Sequence, residues 1–210
     1  MNSYSNLANL LDGVTFVFDL YRNFGNSDYI GEKVTQLQHA LQCAYLASLE
    51  YPEDNEIIVG AFLHDIGNLL HLKDKSENFE FKEVEYDDMS LDGLGLKNHE
   101  EIGADLLVKM GLSKRVASLG RNHVLAKRYL VTKNPEYLNN LSDASKATFK
   151  LQGGCLSSEE LDAFESNPDK DIFLRMRAWD DMAKDVNFNY DKKRAVGFYE
   201  SMACKLLLFN

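Results

Sequence analysis

The chain has 210 residues, of which 45% are apolar and 27% charged, enough for one well-buried core and short for two. A formal charge of −10 and a pI near 5.0 exclude a surface built for nucleic acid or an anionic membrane, which needs clustered Lys and Arg, and leave a small molecule as the natural partner. Three cysteines, Cys43, Cys155 and Cys204, are odd in number and widely separated, which excludes a disulfide framework or a zinc knuckle and fits a reducing cytoplasm.

Helical periodicity runs through the chain and strand-like alternation is nearly absent, so the expected fold is all-α, a single domain over 1–210. Leu7, Leu10, Leu11, Val14 and Phe18 form a helical stripe that should end near Gly25 to Ser27. Leu37, Leu41, Ala44 and Tyr45 continue the period in a second helix that carries His39 and is followed by Pro52. A third helix is expected from about Asp54 to Asp65, with Gly67 closing it.

An acidic insertion follows at about 72–97; its stretch from Lys73 to Gly95 holds eight acidic residues and three lysines, half the net charge, and no clean period. It reads as a solvated surface segment or a partial lid. Asn98 can cap a fourth helix with His99 in its first turn, and Gly111 can close it. Ser113 can start a fifth helix running through His123, Ser142 a sixth, and Ser157 with Glu160 has capping-box spacing for a seventh. Asn167-Pro168 then breaks the chain before the helix bearing Asp180. No basic residue precedes Arg22 and no apolar run approaches the roughly 18 residues of a membrane span, so the expected location is cytoplasmic, without a signal peptide.

The pair His64-Asp65 is weak evidence alone, because neighbouring side chains on a helix diverge by about 100°. At a helix end both can turn into one cavity. With His39 before it, His99 and His123 after it, and Asp180 late in the chain, the order is H…HD…H…H…D across separate predicted helices. One such histidine would be an ordinary core or surface residue; four of the chain's five in one ordered pattern point to a metal centre. His71, the fifth, reads as a polar residue at the edge of the insertion. Imidazoles suit iron, zinc, copper or nickel, and the carboxylates add hard oxygen. Six ligands shared by two metals leave open positions, as catalysis requires. Walker-type phosphate loops, GxGxxG and GxSxG are all missing.

Further blocks accompany these residues: YIGE at 29–32, QLQHALQCAY at 36–45, FLHDIG at 62–67, HEEIGADLL at 99–107, HVLAKRYL at 123–130, YLNNLSDAS at 137–145 and RMRAWD at 175–180. Together they resemble the HD-domain mixed-valent di-iron oxygenases of the PhnZ type, which break carbon–phosphorus bonds, over residues 28–185. The resemblance implies two Fe ions in a mixed-valent Fe(II)/Fe(III) state and O2 as co-substrate. It places His39, His64, Asp65 and Asp180 on one iron, and His99, His123 and bridging Asp65 on the other. It makes Tyr29 and Glu32 a gate, with Glu32 near a substrate ammonium, and puts Lys127, Ser145 and Arg177 on the phosphonate.

The implied reaction converts a 1-hydroxy-2-(amino or trimethylammonio)ethylphosphonate to phosphate and glycine or glycine betaine. An iron pair of charge +5 against two carboxylates leaves +3, suited to an alkoxide and a phosphonate. Two departures stand out: Asn68 occupies the place where the family motif usually continues to a second histidine, and the 72–97 segment is longer. Asn68 is therefore a candidate substrate contact that cannot carry a proton's charge. The alternatives are an HD-type metal-dependent phosphohydrolase, a polyol-cleaving di-iron oxygenase and a catalytically inactive metal-binding module. The sequence leaves the oligomeric state open.

Overall fold

The structure, a computed structural model, describes residues 2–29, 31–77 and 97–209. Eleven helices occur among them: α1 (Asn2–Phe24), α2 (Gln36–Glu50), α3 (Asn55–Leu63), α4 (Ile66–Glu77), α5 (His99–Lys109), α6 (Lys114–Lys133), α7 (Pro135–Asn140), α8 (Asp143–Leu151), α9 (Ser158–Glu165), α10 (Lys170–Met182) and α11 (Lys192–Phe209). The β pairing among the described residues is one isolated bridge between Asp28 and Thr35, so the all-α expectation holds. Most of the expected insertion, residues 78–96, lies outside the described residues.

Local chemistry sets most of the helix starts. Thr35 opens α2 with a full capping box, its hydroxyl accepting from Gln38 N–H while the Gln38 side chain accepts from Thr35 N–H. Ser113 and Ser142 each accept a third-residue N–H, and Ser157 with Glu160 completes a second capping box. Asn98 precedes α5 as expected but sits at φ 61 and makes no side-chain cap, because an αL backbone does not aim its amide at the helix start. Gly111 takes the left-handed conformation, φ +92, that ends α5.

The third helix ends close to where its pattern places it, with His64 as its C-cap, but it is not Gly67 that closes it. It stops at Leu63, His64 and Asp65 form a turn, and Ile66 begins a new helix in which Gly67 is a first-turn residue. Gly67 is needed there because α4 crosses α5: a Cβ on it would lie 2.1 Å from the His99 carbonyl oxygen. The two helices that bring His64-Asp65 and His99 together therefore meet backbone to backbone.

Helix α6 packs against α3, α5 and α10, while α2 packs against α3 and α10. The main core, including Val14, Phe18, Leu41, Phe62, Leu63, Ile66, Leu107 and Val116, joins α1 through α6 with Val196 and Ala203 of α11. Buried polar contacts fix the register between elements. Tyr21 Oη donates to the Phe62 carbonyl at 2.8 Å, and Trp179 Nε1 donates to Glu50 Oε1 at 2.9 Å, pinning α10 to the end of α2. Trp179 is wholly buried among Cys43, Ala47, Ile57, Ala61, Leu119 and Met176. Burying each large side chain of this kind contributes about 1.5–3 kcal/mol. No helix among the described residues is long and apolar enough to cross a membrane.

Candidate metal centre

His39 from α2, His64 and Asp65 from the α3–α4 turn, His99 at the start of α5, His123 from α6 and Asp180 from α10 are all buried and converge. The four histidines form two pairs. His39 Nε2 lies 3.3 Å from His64 Nε2, and His99 Nε2 lies 3.3 Å from His123 Nε2. Asp65 stands between the pairs and divides its oxygens between them. Oδ2 is 3.4 Å from His64 Nε2 and 3.8 Å from His39 Nε2, whereas Oδ1 is 3.1 Å from His99 Nε2 and 3.5 Å from His123 Nε2. Asp180 Oδ1 joins the first pair, 3.2 Å from His39 Nε2.

The outer ring nitrogens explain why all the Nε2 atoms face inward. His39 Nδ1 donates to the Ala183 carbonyl at 3.0 Å, His64 Nδ1 to Ala61 at 2.9 Å and His123 Nδ1 to Gly120 at 2.6 Å. A carbonyl can only accept, so the proton resides on Nδ1 and the Nε2 lone pair is turned to the centre. His99 Nδ1 lies 3.3 Å from Glu100 Oε2. Two neutral Nε2 atoms at 3.3 Å would oppose their lone pairs unless a proton or a cation stands between them, and Asp65 Oδ1, fully buried, accepts no hydrogen bond of sound geometry although two imidazoles face it. This donor set fits cations: His39, His64, Asp180 and Asp65 Oδ2 around one, His99, His123 and Asp65 Oδ1 around another.

Electrostatics carry the same message. Despite burial, which alone would raise them, the Asp65 and Asp180 carboxyls are held well below the usual carboxylate range, Asp65 by His64 and His99, Asp180 by Arg177 and His39. Burial pushes His64 down, but Asp65 and Asp180 outweigh it and hold the imidazole at about 8; His123, buried and facing two other imidazoles, falls to about 3. A buried site whose protons are this uneven is suited to replacing them with metal charge.

A cavity of about 70 Å³ opens onto the second pair, lined by His99, His123, Asp65 and Asp180. All six expected substrate contacts, Tyr29, Glu32, Asn68, Lys127, Ser145 and Arg177, line it too. Lys127 is one turn beyond His123 on α6, almost fully buried, and donates to Thr148 Oγ1 at 3.0 Å. Burial and the nearby Arg177 bring its ammonium down to about 7. Arg177, one turn before Asp180 on α10, donates to Asp180 Oδ2 at 2.6 Å and also to Asp181, with Tyr137 Oη 3.3 Å from its Nε.

Tyr29 stacks on the His39 ring with centroids 3.9 Å apart, and its hydroxyl lies 3.3 Å from Asp180 Oδ1. Burial, reinforced by Asp180, raises its pKa well above the ordinary phenol value. His71 sits on α4 and is not among the cavity residues.

Several neighbours go beyond the expected set. Cys43 Sγ lies 3.7 Å from His39 Nε2, one turn along α2, and burial keeps it a thiol. Thr148 and Gln152 complete the cavity wall with Ser145. Their spacing, 145, 148 and 152, is one helical face, a signal present in the sequence.

Residues 37–161 match the family model for the HD domain. The chain is 43% identical over 86% of its length to an uncharacterised protein of Acanthamoeba polyphaga mimivirus, covering 76% of that protein. It is 37% identical over 81% of its length to a [1-hydroxy-2-(trimethylamino)ethyl]phosphonate dioxygenase (glycine-betaine-forming) of Leisingera caerulea, of which it covers 80%. It is 39% identical over 81% of its length to a hydroxymethylphosphonate dioxygenase of Gimesia maris, of which it covers 78%. The chain therefore belongs to the HD-domain family, in the oxygenase branch that holds these two phosphonate dioxygenases.

Proposed function

We propose that this protein is a di-iron oxygenase that uses O2 to cleave the C–P bond of a 1-hydroxyphosphonate, the class that includes 1-hydroxy-2-(amino or trimethylammonio)ethylphosphonate. The observation that carries the reading is the division of Asp65, one oxygen toward each histidine pair, beside a cavity that exposes only the second pair. The reaction balances as one 1-hydroxyphosphonate dianion plus one dioxygen giving one carboxylate, one hydrogenphosphate and one proton. With an aminoethyl or trimethylammonioethyl substrate the carboxylate is glycine or glycine betaine.

Bound iron would supply the redox chemistry that lets dioxygen accept the substrate's electrons. The chain's own residues do the rest. Lys127 and Arg177 supply cationic donors at the cavity wall that would hold the phosphonate oxygens and, once the bond breaks, the departing phosphate. Ser145 and Asn68 add neutral hydrogen bonds. Asp180 is tied to Arg177 on one oxygen and faces His39 with the other, so phosphonate binding and metal geometry are linked through one carboxylate. Tyr29 and Glu32 line the cavity and would serve as its gate.

The test is dioxygen uptake by the iron-loaded protein on addition of a panel of 1-hydroxyphosphonates. Uptake with at least one member is expected. No uptake with any of them would remove the reading.

A further inference from the structure

Lys184 lies just beyond the end of α10, and its ammonium donates to Glu32 Oε1 at 2.8 Å and to Ser142 Oγ at 3.2 Å. Glu32, on the loop before α2, lines the cavity, while Lys184 at the exit of α10 holds it and Ser142 at the cap of α8 holds Lys184, neither being among the lining residues. The exit of α10 is fixed from behind, since the Ala183 carbonyl accepts from His39 and the Gln42 amide brackets Asp185, accepting from its N–H and donating to its carbonyl. The loop carrying Glu32 is pressed onto α8. Gly31, at φ +71, has no room for a side chain, because a Cβ would lie 2.6 Å from Ala144 Cβ. Both partners of the ion pair are largely buried, with side chains 21% and 13% exposed, so the pair is held rather than solvated.

Among the described cavity residues, Glu32 is the carboxylate left to meet a cationic substrate group. The other cavity carboxylates among the described residues, Asp65 and Asp180, turn their oxygens to imidazoles and to Arg177. An ammonium entering beside Glu32 would have to displace Lys184 or share one carboxylate with it, and two like charges at one site repel. Nor do the described residues form an aromatic cage for a trimethylammonium group. Among the described cavity residues Tyr29 is the one aromatic besides the histidines, and it is stacked on His39.

We infer that Lys184 neutralises Glu32 and makes the site selective for 1-hydroxyphosphonates with no cationic group on the neighbouring carbon, hydroxymethylphosphonate being the smallest. The inference rests on the phosphonate reading above and narrows it. For that substrate the balance is one hydroxymethylphosphonate dianion plus one dioxygen to one formate, one hydrogenphosphate and one proton.

The test compares hydroxymethylphosphonate, 1-hydroxy-2-aminoethylphosphonate and its trimethylammonio counterpart, by calorimetric Kd without dioxygen and by kcat/KM from dioxygen uptake. The wild-type protein should favour the first by about tenfold or more, the scale of one charge-assisted hydrogen bond. Lys184→Met should move the ratio by a similar factor toward the aminoethyl substrate, Lys184→Gln should move it the same way while keeping a hydrogen-bonding side chain, and Lys184→Arg should keep the wild-type order. A wild-type preference for either cationic substrate overturns the inference. So does an unchanged ratio in both neutral variants, or an equal loss for all three substrates, which would mark Lys184 as structural only. Failure of all three to bind or to consume dioxygen overturns the phosphonate reading itself, and the inference with it.

Discussion

Asp65 is the residue on which both halves of the proposed metal centre would depend, because among the described residues it is the carboxylate that turns one oxygen to each histidine pair. Replacing Asp65 by alanine should lower iron from about two per chain to less than one, since a bridging carboxylate makes the two sites interdependent. Elemental analysis that still finds one full metal in Asp65→Ala would argue against the bridge. Lys127 allows a second prediction. Burial and Arg177 bring its ammonium down to about 7 in the folded protein against an ordinary 10.5, so between those values the unfolded chain binds the extra proton and the penalty this residue places on folding is relieved as pH rises. An anionic phosphonate needs the charged form. Above pH 7 binding should therefore take up a proton and weaken with rising pH, by up to about tenfold per unit. Calorimetry at pH 8 in buffers of different ionisation heat should find that uptake in the wild type and lose it in Lys127→Met, with affinity about 10- to 100-fold lower. No buffer dependence in the wild type would mean that Lys127 is not the group receiving the phosphonate. That His39, His64, Asp65, His99, His123 and Asp180 belong together was legible in their order along the sequence, and the structure does bring them together. Their pairing was not, because nothing in the spacing tells which Asp65 oxygen meets which imidazole, nor that Lys184 reaches Glu32 across 152 positions.

At the level of elements, what the sequence displays well is local. Ser113, Ser142 and Ser157 with Glu160 cap their helices as their spacing predicts, since a cap is a contact between near neighbours. The α3–α4 turn shows the limit. Gly67 looks like a helix stop, and its actual task, admitting the His99 carbonyl, depends on a helix more than thirty positions away. Gly67→Ala separates the two readings by sign. As an ordinary helix residue the substitution would stabilise the protein by about 1 kcal/mol. With the α4–α5 crossing as found, it should destabilise by about 1–3 kcal/mol or more and deplete metal, as overpacking forces His99 away from His123. Thermal unfolding and iron content measured on the one variant decide it, and an unchanged or higher melting temperature with full iron would contradict the crossing's role.

At the scale of the whole molecule, an acidic chain of net charge −10 concentrates cations where it needs them: Lys127 and Arg177 are buried at the wall of a cavity beside a site built for metal ions. Composition argues against polyanion surfaces, and the helical period points to the fold class, yet neither reveals a cavity, because a cavity is made by residues from five helices and two loops at once. The central claim is oxidative cleavage rather than hydrolysis by a metal-bound hydroxide, the alternative open to an HD-domain metal centre. It is tested most directly by measuring phosphate released from a 1-hydroxyphosphonate substrate by the iron-loaded protein, once in measured dioxygen and once under strict anaerobiosis. Phosphate appearing one for one with dioxygen consumed, and none beyond background without it, is the predicted result; equal phosphate release in both conditions would contradict it.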